Sequence, residues 1–299
     1  MFIKEIGTID KDVIFNSKPK FEEQQLYYYR REEDGYVSFV VKNGKTQELM
    51  MNGSAWEILE LCNGKRSILE IGECLKSRYG YLNGKFNFIK DVIVTVCMFD
   101  QIWLVSWGKG GSPFMINSKL ELSKGSSLEW CKENRIREIE DTYEKFVGQT
   151  GYYQFNCLDN RFKGLSEYQN TTFLRSKLFF YKEDFFLLTN HNGEREGVIS
   201  IRNDQPNTDV LEVSTILTPM DKVEELLKGA IRLIMDNYLF KLNKLRIKMI
   251  SDDTRVEENI LNAFGNVGFT NTAILKNEYG ENSDLLYFDY LFEGSDKNE

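Results

Sequence analysis

Three short segments near the start of the chain alternate apolar and polar positions: "QLYYYRR" (25–31), "YVSFVVK" (36–42) and "TQELMM" (46–51). Asp34-Gly35 and Asn43-Gly44 separate them, and period two broken by Gly-containing turns predicts a three-stranded antiparallel meander. The period then becomes helical. Ser54 and Glu57 form an S-x-x-E box ahead of Trp56, Ile58 and Leu59, which predicts a short helix ending at Asn63-Gly64. Ser67 and Glu70 repeat the box ahead of Ile68, Ile71, Cys74 and Leu75, predicting a second helix up to Gly80. A third helix is expected over Phe88–Gln101 with Phe88, Val92, Thr95, Val96 and Phe99 facing inward, followed by a short strand at "WLVSW". The outline is a winged helix-turn-helix.

"WGKGGSPF" (107–114) has linker composition and lacks the G-x-x-x-x-G-K-[ST] spacing of a phosphate loop. Beyond it, helical spacing is read from Ser127 through Leu128, Cys131, Ile136, Ile139 and Tyr143 to Phe146-Val147. "KLFFY" (177–181), "FFLLT" (185–189), "GVISIR" (197–202) and "VLEVSTIL" (210–217) read as strands, with a turn at Asp204-Gln205-Pro206-Asn207. Val223, Leu226, Leu227, Ala230, Ile231, Ile234 and Tyr238 then predict a long helix, with Thr218 and Asp221 as its T-x-x-D cap and Pro219 at its first position. The strand "LRIKMI", a helix over 257–264 and the hairpin "AILKNEY…DLLYFDYLF" close the chain. The fold class is α+β: a winged helix-turn-helix of three strands and three helices (1–107), a linker (108–116), an α/β sandwich with a mixed central sheet (117–293) and a disordered tail (294–299).

Charge narrows the partners. The first 110 residues carry 15 basic and 15 acidic groups, leaving 23 basic and 31 acidic, so the net charge of -8 lies in the second part and neither half suits nucleic acid. The predicted third helix agrees: it has Asp91 and Asp100, Lys90 only at its start, and Ile93, Val94, Cys97 and Met98 off the inward stripe. A helix apolar on nearly all sides needs a cover, either the second domain, the N-terminal segment or a bound peptide. Five cysteines without a C-x-x-C pair read as reduced, buried thiols. The single histidine, His191, sits in a hairpin-like "TNHNGEREG", which leaves no histidine triad and no His-rich metal site. No segment reads as a signal peptide or a membrane span, so the expectation is a soluble cytoplasmic protein without metal, nucleic acid or membrane partners.

"LMMNGSAWEILELCNGKRSILEIGECLKSRYG" followed by "DVIVTVCMFDQIWLVSW" resembles the PqqD family, through Asn52, Asn63-Gly64, Glu70-Ile71, Leu75, Tyr79 and Asp91-Val92. The likeness covers about residues 20–107. It implies a domain that binds the leader of a ribosomally made precursor peptide, added as a strand to the edge 46–51 beside the third helix. Glu48, Leu49, Met50, Val94, Cys97 and Met98 would be the leader-binding residues. An edge strand beside an apolar face can supply backbone hydrogen bonds and side-chain pockets together.

The segment "ENILNAFGNVGFTNTAILKNEYGENSDLLYFDYL" and the order of elements before it resemble GNAT acyltransferases over about 117–292. Gly268-Phe269, Arg246 and Asp284 carry the likeness. It implies an acetyl-CoA or other acyl-CoA donor, with the pantetheine paired along "EVSTIL" and Ser214, Ile216, Leu217, Thr218 and Asn259 as donor-binding residues. Glu212 falls where a carboxylate would serve as general base. The pattern departs at two places. "TPMDKVEELLKG" stands where a glycine-rich pyrophosphate loop belongs, with Asp221, Glu224 and Glu225 repelling a phosphate, and Phe264 stands where a tyrosine would be general acid. The expected function is acylation of a leader-held precursor peptide, with another modification enzyme of the same pathway as a further partner. The alternatives are a non-catalytic docking protein or chaperone with the same two domains, and a winged-helix regulator.

Overall fold

The structure is a computed structural model that describes residues 11–42, 48–80, 87–108, 111–114, 118–132, 135–157, 164–179, 182–202, 209–237, 242–250, 258–278, 280–281 and 283–292. The Asn43-Gly44 and 204–207 turns, Tyr238 and the tail 294–299 lie outside the described residues. The chain divides into two compact units, one of Met1–Ile116 with Lys132–Asn134 and Asn237–Leu239, the other of Asn117–Cys131, Arg135–Asp236 and Phe240–Glu299.

The first unit begins with α1 (Lys11–Asn16) and β1 (Lys20–Phe21), followed by the meander β2 (Leu26–Arg31), β3 (Tyr36–Val41) and β4 (Glu48–Asn52) in spatial order β2-β3-β4. Gly35 turns the first hairpin at φ 83°, a conformation that costs glycine nothing. Helices α2 (Gly53–Leu61), α3 (Ile68–Tyr79) and α4 (Phe88–Gln101) follow. The cap of α2 is Asn52 rather than Ser54: its side-chain oxygen accepts from the Ala55 N–H at 2.8 Å. Glu57 is thereby released from capping and reaches α3, accepting from Tyr79 Oη at 2.7 Å and pairing with Arg78. The Ser67–Glu70 box is present with both of its hydrogen bonds, at 2.7 and 3.2 Å.

The buried stripe of α4 is Ile89, Val92, Ile93, Val96, Cys97 and Phe99, with Phe88 and Thr95 only half-buried. The helix is therefore rotated from the expected seam. Its first turn shows why: Ile89 packs on Gly72 of α3, where an added Cβ would lie 2.9 Å from Ile89 Cγ1. After α4 the chain forms β5 (Val105–Ser106), paired only with β1. Among the described residues this two-residue pairing stands where a wing hairpin was expected, so the winged outline reduces to three strands and three helices.

The second unit is a nine-stranded sheet: β6 (Lys119–Glu121), β7 (Ser127–Cys131), β8 (Tyr152–Asn156), β9 (Glu183–Thr189), β10 (Arg195–Arg202), β11 (Val210–Pro219), β12 (Lys244–Ile250), β13 (Thr270–Leu275) and β14 (Leu285–Leu291). Its order is β13-β14-β12-β11-β10-β9-β7-β6, with β8 paired to β11. The sheet is mixed, because β11 and β12 run parallel and the other pairs antiparallel. Helices α5 (Ile136–Phe146) and α6 (Thr171–Phe179) bury Ile139, Tyr143, Leu174 and Leu178 against one face with Phe185, Leu187 and Val198. Helices α7 (Val223–Asn237) and α8 (Glu258–Val267) serve the other face: Gly229 abuts Leu128, and Phe264 packs edge-to-face against Phe288.

Two elements differ from the sequence reading. Ser127–Cys131 is strand β7, not the start of a helix: four of its five residues are buried, and apolar cover on both faces erases the alternation that marks a strand. "KLFFY" belongs to the end of α6, which begins after Asn170; the Asn170 Oδ1 accepts from the N–H groups of Thr172 and Phe173 at 2.9 and 3.1 Å. Phe180 and Tyr181 lie outside the described residues.

Candidate functional site

The expected base, Glu212, is built into a row of charges that crosses the sheet. The strand registers place Glu183, Arg202, Glu212, Arg246 and Asp289 opposite one another on β9, β10, β11, β12 and β14. Directly opposed residues share a face, so the signs alternate along one line. Glu212 is buried, with Arg202 Nη2 at 3.1 Å from Oε1 and Lys248 Nζ at 2.7 Å from Oε2. Both of its oxygens are engaged by cations, an arrangement suited to closing a sheet rather than to receiving a substrate proton. Asp289 is held down to about 2: burial pushes it up, and hydrogen bonds from Arg246, Lys244 and Thr272 outweigh that.

Beside this row lies a buried hydroxyl network. Ser200 Oγ donates to Glu183 Oε1 at 2.6 Å, Tyr168 Oη donates to the same oxygen at 2.9 Å, and Thr215 Oγ1 lies 2.7 Å from Ser200 Oγ and 2.5 Å from Tyr143 Oη. Burial pushes the Tyr143 and Tyr168 phenols up, so they stay protonated and able to donate. The sequence reading missed this network, since its members are spread from 143 to 215 and only strand pairing gathers them.

The donor cleft expected along β11 is closed by the chain itself. The parallel pairing of β11 with β12 covers only Val210–Lys244, Leu211–Leu245 and Glu212–Arg246. Beyond it, Thr215 to Pro219 pair antiparallel with Asn156 to Tyr152 of β8. Since β10 already pairs with Thr215, Ile216 and Leu217, β8 must occupy the opposite edge, the one from which β12 has diverged. The ladder continues at both ends, with Cys157 N–H donating to Ser214 O at 2.8 Å and Met220 N–H donating to Gly151 O at 3.0 Å. A register shift falls at Ser214, which is the extra residue of a β-bulge. Ser214, Ile216, Leu217 and Thr218 are all fully buried, so the proposed donor residues are core residues. Thr218 lies in β11 and Pro219 pairs with Tyr152, which corrects the expected T-x-x-D cap.

The start of α7, where a phosphate was expected, carries both signs of charge. A depression of about 480 Å³ at the start of α7 is lined by Asp221, Glu224 and Glu225 together with Lys124, Lys222 and Lys228. Glu225 Oε1 accepts from the Ser123 N–H at 2.9 Å and from its hydroxyl at 2.5 Å. Its carboxyl is held below the usual range, since Lys222 and Ser123 outweigh burial. Asn259 is exposed on α8, and Phe264 is fully buried between Phe269 and Phe288. With the edge of β11 taken by β8, the residues along it do not fit the pantetheine of an acyl-CoA. Of the residues that carried the GNAT resemblance, Arg246 forms two bonds to Asp289 at 2.7 and 2.9 Å, and Asp284 ties down the β13–β14 turn through Lys276 and the Asn277 N–H.

Solved structures similar to this chain include two acetyltransferases. A ribosomal-protein-S5-alanine acetyltransferase from Vibrio fischeri aligns with 60% of this chain and 98% of its own, at 11% identity and a TM-score of 0.44. A spermidine N-acetyltransferase from Vibrio cholerae, solved in complex with CoA and spermine, aligns with 56% of this chain and 95% of its own, at 12% identity and a TM-score of 0.40. No family profile and no curated protein matches the sequence.

In the first unit, β4 pairs only with β3, so among the described strands its outer edge is open. Leu49 and Met51 point into the core and Met50 is 46% exposed. Val94 and Met98 are half-buried, whereas Cys97 is 3% exposed and belongs to the core, which removes Leu49 and Cys97 from the accessible leader-binding set. The Glu48 side chain lies outside the described residues. Among the described residues there is no group of three His, Cys, Asp or Glu placed to hold a metal, and no helix long and apolar enough to cross a membrane.

Proposed function

We propose that the chain is a peptide-docking protein whose second unit keeps a GNAT-type layout without an acyl-donor site. The observation that carries this reading is the pairing of β11 along both edges, with β8 in the place of the donor. The first unit supplies the binding element: the open edge of β4, flanked by exposed Met50, adds an extended leader of a precursor peptide as a fourth strand. Holding the leader there raises the local concentration of the rest of the peptide for a modification enzyme of the same pathway.

A second reading, acyl transfer, is favoured by one feature: β11 and β12 run parallel for three residues and then part, which leaves room for an extended thioester only if β8 moves out. One experiment separates the two. A labelled synthetic leader–core peptide is titrated with the full chain, then incubated with acetyl-CoA and weighed intact. Docking predicts saturable binding, weakened at least about tenfold by Met50→Asp on the exposed strand position, and an unchanged peptide mass. An acyl-sized mass gain would establish transfer and overturn the docking reading.

A further inference from the structure

Strand β12 alternates buried and half-open residues: Leu245, Ile247 and Met249 face α7 and α8, while Lys244, Arg246 and Lys248 face the other way. Those three cations recur at every second residue, roughly 7 Å apart along the strand. Their side chains are 29%, 25% and 27% exposed, whereas the carboxylates they pair with, Asp289 and Glu212, are 1% and 5% exposed. The acids therefore lie beneath, and the layer that meets solvent is cationic.

The pairing also leaves an excess of positive charge. Lys244 and Arg246 share Asp289, and Lys248 reaches Glu212, so the three cations of β12 rest on two carboxylates. Tyr287 fixes the outer pair in place, with the Arg246 guanidinium 4.9 Å and the Lys248 ammonium 5.9 Å from its ring. This runs against the net charge of -8 of the whole chain. Among the described residues, the pairing of β12 with β11 ends at Arg246.

We infer that this face of β12 and β14 is a docking surface for an extended acidic peptide, which lays alternate carboxylates over Lys244, Arg246 and Lys248. The repeat of the cations is that of alternate side chains on one face of a strand, which selects an extended polypeptide over a small anion. The net charge of -8 bears alike on an acidic peptide and on a nucleic acid, so an oligonucleotide probe separates the two. The surface belongs to the second unit alone, and its test uses no leader peptide, so its failure leaves the β4 reading untouched.

The probe is a dye-labelled peptide of alternating Glu and Thr, titrated with the full chain at low salt, beside a Gln-Thr counterpart, a labelled oligothymidylate and inorganic phosphate as competitor. Binding of the Glu-Thr peptide is expected to exceed that of the Gln-Thr peptide at least about tenfold, to fall with added salt, and to resist millimolar phosphate. The double variant Lys244→Gln/Lys248→Gln leaves Asp289 with Arg246 and Glu212 with Arg202, and is expected to abolish the difference between peptides while melting as a folded protein. Equal binding of the two peptides, tighter binding of oligothymidylate, displacement by phosphate, or an unchanged affinity in a folded double variant would each overturn the inference.

Discussion

Replacing Glu212 by alanine is expected to destabilise the chain by about 3–5 kcal/mol, because it removes the buried carboxylate that Arg202 and Lys248 share. Glu212→Gln should cost less, since an amide oxygen can still accept from Arg202 Nη2, which sits 3.1 Å from the carboxylate. Chemical denaturation of the two variants measures this directly. A catalytic base would behave otherwise: alanine there would change rate and leave stability nearly as it was. If Glu212→Ala melts like the parent chain, the charge row across β9 to β14 does not hold the sheet together, and the structural role assigned to Glu212 fails.

Asp184→Asn should stabilise the protein above neutral pH and flatten its stability profile below it. Asp184 is buried on the α7 side of β9, accepts from Trp130 Nε1 at 3.2 Å, and is pushed up to about 7 by burial in spite of that bond. Its unfolded value is about 3.9, so the folded state holds the proton more tightly. The resulting stability is complete below about pH 4 and is lost as pH rises through about 7. The loss amounts to at most about 4 kcal/mol for a shift of this size, and asparagine keeps an acceptor for the indole without the charge. Urea midpoints from pH 5 to 8 should fall for the parent chain and stay nearly level for the variant. Parallel slopes would show that Asp184 does not titrate in this window. Asp289, held down to about 2, acts only at the acid end, where its stabilising pairing is lost as pH falls through that value.

Local signals in the sequence carried much of this fold. The Gly-containing turn at Asp34-Gly35, the Ser67–Glu70 box and the spacing from Val223 to Ile234 each express a rule confined to a few neighbouring residues, and each has its element in the structure. Ser54 misled because Asn52, two residues earlier, offers the same cap chemistry and the end of β4 leaves it in the extended conformation a cap needs, at φ -73° and ψ 161°. The site was legible only in outline. The acids at Asp221, Glu224 and Glu225 and the phenylalanine at 264 already pointed away from a donor pocket, and the structure puts them in a charged depression and in the core. What closes the cleft, however, is a pairing between residues about 60 positions apart, Tyr152 to Asn156 with Thr215 to Pro219, and nothing within five residues of alternating pattern names its partner. The same holds for Glu212, whose neighbours in the charge row come from four other strands.

Amide hydrogen exchange with and without millimolar acetyl-CoA shows whether β8 holds the edge of β11 on which an acyl donor would have to lie. Slow exchange is expected at the β8 amides bonded to β11 and at Cys157, whose N–H is bonded to Ser214 O, with no change in either β8 or Ser214 to Pro219 when acetyl-CoA is added. Rapid exchange of β8 in the free protein, or a change in its protection on adding acetyl-CoA, would contradict it.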